Sequence, residues 1–172
     1  MTRMTLARGA MVILMAITMA ACSKTQPNNY GLGVGPGGNG ADGAATPGSE
    51  REFAVKVGDT VHFTVDSPDL SPEAQQTLSA QAQWLSRYPT YAITIEGHAD
   101  ERGTREYNIA LGAQRAAAVK EYLSQRGINP GRVRTLSYGK ERPVAVCADI
   151  SCWSQNRRAV TVLGRSGAVA SY

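Results

Sequence analysis

The feature that most constrains this chain is an arginine on a helical face that ought to be apolar. Residues 96–123 read EGHADERGTREYNIALGAQRAAAVKEYL, and the spacing predicts a helix over about 104–126. Its inner stripe is Tyr107, Leu111, Arg115, Ala118 or Val119, and Tyr122, at the three- and four-residue steps that stack side chains on one face. Arg115 therefore points toward the core or its margin, where an always-charged guanidinium is costly unless it meets an anion. Asp100 follows the apolar run Ile93-Thr94-Ile95 and is the local candidate to sit opposite. A carboxylate and a guanidinium facing one crevice can hold a zwitterion, with ammonium on the aspartate and carboxylate in the arginine fork. That is a chemistry of binding.

The surrounding elements follow from pattern. Residues 53–57 and 60–65 alternate around Gly58-Asp59 and read as a β-hairpin. Ser71-Pro72-Glu73 is a helix start, with a capping serine, a proline in the first turn and an early acid. Leu78, Ala82 and Leu85 supply that helix's apolar stripe, and Tyr88-Pro89 ends it. Residues 91–96 make the next strand. Gly127 and Pro130 close the long helix, and residues 133–138 and 159–163 read as two further strands. The fold class is α+β: a mixed β-α-β-α-β-β sheet with helices on one face, preceded by a hairpin strand.

The strings GHADERGTREYN, ALGAQRAAAVKEYL, SYGKERP and NRRAV, in this order, closely resemble the OmpA-like domain family. The fuller wording is similar to the peptidoglycan-associated lipoproteins of Tol-Pal systems, and the resemblance covers roughly residues 52–163. It implies an OmpA-like fold and a groove for the peptide stem of peptidoglycan. The positions matching the family's groove are Asp66 with Ser67, Asp100, Asn108, Leu111 and Arg115, and Arg158 is a further candidate. Asp100 would take the ammonium of meso-diaminopimelate and Arg115 its carboxylate by a two-pronged hydrogen bond. Asn108 would donate or accept at the same ligand, and Leu111 would be the floor. The resemblance also implies Tol-system partners, chiefly TolB. It departs from the usual wording at residues 147–152, where many relatives carry a glycine–histidine–acid loop.

The N-terminus supplies an address. Arg3 and Arg8 precede an apolar run over residues 10–19, shaped like a signal peptide. Met19-Ala20-Ala21-Cys22 resembles a lipobox, which predicts removal of residues 1–21, lipid on Cys22, and anchoring there. By the same resemblance, Ser23 after the cysteine implies the outer rather than the inner membrane, with the domain in the periplasm. The processed chain would hold 151 residues at a formal charge of +2 rather than the +4 of the whole sequence. No Lys/Arg run interleaves with aromatics, so nucleic-acid binding has no support. Lipid must do the anchoring, and several acyl chains hold far more firmly than one. Residues 22–51 then form a tether; eight of the eighteen residues from 31 to 48 are glycine. Such a segment has an r.m.s. reach of roughly 30 Å. The domain spans residues 52–164, and residues 165–172 are a tail.

With Cys22 assigned to lipid, Cys147 and Cys152 remain, and an even remainder in an exported chain suggests a disulfide. Two thiols alone fall short of the usual metal-ligand set, with His62 and His98 far away in sequence. Neither a metal nor a cofactor is expected. Catalysis finds little support: there is no Gly-x-Ser-x-Gly elbow for His62 or His98 to activate. An Asp66–Asp100 glycosidase pair would suffer from Arg115 holding Asp100 ionised. Arg102, Arg105 and Glu106 read as a solvated charged loop, and His98 as a surface or supporting histidine. The reading is an outer-membrane lipoprotein that binds peptidoglycan without cleaving it. The alternatives are a wall-binding lipoprotein of OmpA type outside the Tol complex and, from another class, a murein hydrolase.

Overall fold

A computed structural model describes residues 45–165. Its elements are α1 (Glu50–Glu52), a π-helical turn (Phe53–Val57), β1 (Thr60–His62), α2 (Pro72–Arg87), β2 (Tyr91–His98), α3 (Arg105–Gln125), a 3-10 turn (Pro130–Arg132), β3 (Val133–Gly139), α4 (Ile150–Asn156) and β4 (Arg158–Arg165). The sheet order is β1-β4-β2-β3. β4 runs antiparallel to both β1 and β2, whereas β2 and β3 are parallel. A parallel pair needs a crossover connection, and α3 is that crossover.

Both long helices start at side-chain caps, the first at the serine expected from the sequence and the second at Thr104, where the helix was expected to begin. Ser71 Oγ accepts from the Ala74 amide at 3.2 Å, and Thr104 Oγ1 from the Tyr107 amide at 3.2 Å; each satisfies an amide that the first turn leaves without a partner. α3 ends beyond Arg126 at Gly127, whose φ of 90° suits glycine. Strand residues alternate, so Ile93, Ile95, Val133 and Ala159 face the helices and are buried with Leu78, Trp84, Leu85, Val119 and Leu123. The buried face of α3 is turned slightly from the expected stripe. Asn108, Leu111, Gly112, Arg115, Ala116, Val119 and Leu123 line it, while Tyr107 is exposed.

The expected hairpin is not formed. Residues 53–57 continue from α1 as a helical turn and stop at Gly58, φ 86°. β1, which ends at His62 rather than at residue 65, pairs instead with β4. Phe53 is the cause: it packs on Trp84 with ring centroids 5.0 Å apart. The Glu52 carboxylate beside it accepts from the Gly48 amide at 2.6 Å and from Trp84 Nε1 at 3.1 Å. Burial and two hydrogen bonds override a weak strand pattern. The same contacts move the domain boundary upstream of 52. Ala45 is buried and the Gly48 carbonyl accepts from Tyr91 Oη at 2.8 Å, so residues 45–51 pack on the domain. Residues 1–44 and 166–172, which include the expected signal segment, Cys22 and most of the tether and tail, lie outside the described residues.

α4 has no counterpart in the sequence reading. Asp149 caps it by accepting from the Ser151 amide at 2.8 Å. Cys147 and Cys152 form a disulfide across its start, with Cα atoms 5.7 Å apart. The fully buried Asn156 at its other end holds the preceding loop through the Val144 and Ala145 amides and the Ala145 carbonyl. Among the described residues, no helix is long and apolar enough to cross a membrane.

Candidate functional site

The ends of β1 and β2 and the start of α3 meet around a groove of about 260 Å³, lined by Asp66, Asp100, Arg102, Asn108, Leu111 and Arg115 among others. Five of the seven expected site residues are thus on one wall-and-floor surface. Ser67 contributes its carbonyl to Arg115 behind that wall. Arg158 is not among the lining residues: its guanidinium donates to the Asn156 and Arg142 carbonyls, because β4 carries it past the groove. Asp66 takes a left-handed conformation, φ 55°. Aspartate tolerates that region better than most side chains, and the turn swings the chain from β1 across the groove.

Arg115 is fully buried and is held by three backbone carbonyls. Nε donates to Ser67 at 3.0 Å, Nη1 to His98 at 2.8 Å and Nη2 to Thr64 at 3.0 Å, while the guanidinium carbon stands 5.1 Å from the Phe63 ring centroid. It makes no ion pair among the described residues. The expected direct opposition to Asp100 is therefore corrected: the carbonyls of two strand-end loops solvate the charge. Burial pushes the Arg115 guanidinium down to about 10, Arg157 acts in the same direction, and Asp100 and Asp66 oppose. The group stays cationic at neutral pH, with N–H groups left over for a guest.

Asp100 belongs to other arginines. Its Oδ1 accepts from the Arg102 amide and Arg102 Nε, each at 3.2 Å; its Oδ2 accepts from Arg102 Nη2 at 2.7 Å and Arg157 Nη1 at 3.2 Å. Burial raises the Asp100 carboxyl, but these hydrogen bonds outweigh it and hold the pKa below the usual aspartate value. Arg102 is thus not simply solvated. It also lies over Trp153 of α4, 4.4 Å from the ring centroid, and Trp153 Nε1 donates to Glu101. Arg157, buried and fixed by Nε on the Phe63 carbonyl at 3.1 Å, is the partner of Asp100 that sequence reasoning missed. The signal was present in Asn156-Arg157-Arg158, but only the way α4 leads into β4 decides which arginine reaches Asp100. Asn108 Nδ2 donates to the Arg102 and Thr104 carbonyls at 2.8 and 3.0 Å, so it shapes the β2–α3 loop and leaves its oxygen for a ligand.

His98 is buried rather than at the surface, and neither ring nitrogen has a partner among the described residues. Burial, then the charges of Arg158 and Arg142, push its pKa down to about 4. The unfolded chain takes up the proton near pH 6.5 and the folded chain only near 4. Stability is therefore expected to fall as pH drops through that window, at up to about 1.4 kcal/mol per pH unit. Denaturant titrations at pH 7, 5.5 and 4.5 measure the slope. It should flatten in His98→Phe, leaving a weaker contribution from His62, whose pKa burial and Arg158 also lower. An equal slope in His98→Phe would refute the assignment. Among the described residues, no group of three or more His, Cys, Asp or Glu is placed to hold a metal.

A four-stranded mixed sheet carrying a groove of aspartates and arginines at its strand ends defines an OmpA-like binding domain. The sequence profile of the OmpA family matches residues 62–159. The chain is 59% identical over 162 residues to the peptidoglycan-associated lipoprotein of Agrobacterium fabrum, covering 94% of this chain and 92% of that one. It is 43% identical over 154 residues to the protein of the same name from Pseudomonas aeruginosa, covering 87% and 91%. The crystal structure of the peptidoglycan-associated lipoprotein from Burkholderia pseudomallei superposes with a TM-score of 0.60 at 43% identity, over 62% of this chain and 90% of that one. The C-terminal domain of Helicobacter pylori MotB shares the fold at 22% identity, with a TM-score of 0.59 over 63% and 86%. The chain belongs to the OmpA family and, within it, groups with the peptidoglycan-associated lipoproteins.

Proposed function

We propose that this chain is a lipoprotein anchored through Cys22 in the outer membrane, whose periplasmic domain binds the diaminopimelate stem of peptidoglycan without cleaving it. The observation that carries the reading is Arg115. A buried guanidinium with no anionic partner among the described residues, on the wall of an open groove, offers a seat for a carboxylate. Asp100 and Asp66 on the same groove supply negative charge for an ammonium, and Leu111 a short apolar floor. A diaminopimelate side chain ends in that pair of charges. The relatives' name associates them with peptidoglycan, which supports the same ligand here. Partnership with TolB and the Tol system, and a role in envelope integrity and outer-membrane constriction at division, complete the reading.

Sedimentation with isolated sacculi is the test. Asp100→Ala should lower the bound fraction at least ten-fold against diaminopimelate-type sacculi, and undiminished binding would sink the site. Release of soluble muropeptides by the pure protein would overturn the non-catalytic reading. Failure to co-purify with TolB would remove the Tol assignment and leave wall binding intact.

A further inference from the structure

The carboxylate proposed to receive the ligand's ammonium is already occupied. Of the four hydrogen bonds to Asp100, three come from Arg102 and one from Arg157. Two of the three use the Arg102 side chain, one on each carboxylate oxygen. A guest ammonium needs those same acceptor positions, and a guanidinium and an ammonium cannot share one carboxylate face without repulsion. Something must leave before the guest arrives.

The two arginines differ in their freedom to do so. The Arg157 side chain is 8% exposed and pinned by Nε to the Phe63 carbonyl. The Arg102 side chain is 42% exposed, and among the described residues its guanidinium makes no other hydrogen bond. While it is engaged with Asp100, its guanidinium also lies against the face of Trp153, 4.4 Å from the ring centroid, a contact that leaves it facing water and holds it less firmly than a buried hydrogen bond. Withdrawal of the side chain would vacate one position on each Asp100 oxygen. The Arg102 amide and Arg157 Nη1 would stay behind to hold the carboxylate in place. The groove then changes its charge balance. Arg102 and Arg115 line the groove with Asp66 and Asp100, while Arg157 holds Asp100 from outside that lining; withdrawal of Arg102 removes one positive charge from beside Asp100, which suits an arriving ammonium.

We infer that Arg102 is an internal competitor for the ammonium seat on Asp100, so that it sets the affinity of the groove for ammonium-bearing stems and must yield on binding. The inference rests on the stem-binding reading above. A ligand whose binding-competent groove is only partly populated binds more weakly by that fraction, so relieving the competition should tighten binding selectively.

The test uses calorimetric titration of the full chain with two synthetic tripeptide stems. One ends in meso-diaminopimelate. The other ends in 2-aminopimelate, which keeps the distal carboxylate but lacks the distal ammonium. The readout is the ratio of their dissociation constants, in which effects on folding or on the carboxylate seat cancel. Arg102→Gln should raise the preference for the diaminopimelate stem by about five-fold, the size expected for removing one partly exposed ion pair. Arg102→Lys, a cation that cannot bridge both oxygens, should fall between. An unchanged ratio in Arg102→Gln overturns the competitor role. So does a reduced ratio, which would make Arg102 a ligand contact. If the wild-type chain binds neither stem, the stem-binding reading itself has failed, an outcome distinct from an unchanged ratio between two measurable affinities.

Discussion

Gly97→Ala is expected to destabilise the domain by about 3 kcal/mol or more, at the upper end of what overpacking costs. A Cβ on Gly97 of β2 would lie 1.9 Å from the Gly112 carbonyl oxygen and 2.7 Å from its carbonyl carbon. Both atoms are backbone of α3, so no rotamer change relieves the clash; the helix must move off the sheet. Gly112 meets the same constraint from the other side, where an added Cβ would stand 2.4 Å from Ser137 Oγ and 2.9 Å from the Gly97 carbonyl oxygen. Ser137 cannot simply rotate aside without giving up its 2.7 Å bond to the Ile109 carbonyl. Because α3 also carries Asn108, Leu111 and Arg115, the displacement should weaken sacculus binding as well. Gly127→Ala is the control: nothing lies within 4 Å of its Cβ position, and only the φ of 90° is strained, a cost of about 1–2 kcal/mol. Urea midpoints for Gly97→Ala and Gly127→Ala test the ranking. A Gly97→Ala protein no less stable than Gly127→Ala would contradict the close approach of helix and sheet.

Replacement of Arg115 is the second large effect, and it should separate stability from binding. Arg115→Ala leaves the Ser67, His98 and Thr64 carbonyls without their donor and opens a cavity beside Phe63. Three lost charge-assisted bonds to buried acceptors suggest a loss on the order of 3–5 kcal/mol. Arg115→Lys keeps a cation but not the planar fork that reaches three carbonyls while still facing the groove. Lysine should recover part of the lost stability, read as a melting temperature between those of wild type and the alanine variant, yet remain unable to sediment with sacculi. A lysine variant that binds sacculi like wild type would mean that charge alone suffices and that the fork has no part in the ligand seat.

The elements most legible in the sequence are those whose cause is local. Ser71-Pro72-Glu73 and Thr104 start helices because the partners of their caps lie three residues away. The run 91–96 makes a strand because its alternate positions can all be buried at once. The burial of Arg115 was legible for the same reason: three- and four-residue spacing places it inward whatever packs there. The 53–57 segment was misread because five residues alternating in polarity carry too little information against one aromatic ring finding Trp84. α4 was invisible because its seven residues have no apolar stripe to bury; it is held by a cap, a disulfide and Asn156.

By itself, the sequence determined that an arginine would sit inside a mixed α+β domain near an aspartate at a strand end. Periodicity and capping act within a few residues and need no tertiary information. Only the tertiary structure decided what those charges touch. Arg115 is held by carbonyls 17, 48 and 51 residues distant in the chain, and Asp100 meets Arg157 across 57. In a buried site the favoured partner is whichever dipole or charge the packed strands bring within hydrogen-bonding distance. That choice is made when β1, β2, α3 and β4 close on one another, and no local pattern records it.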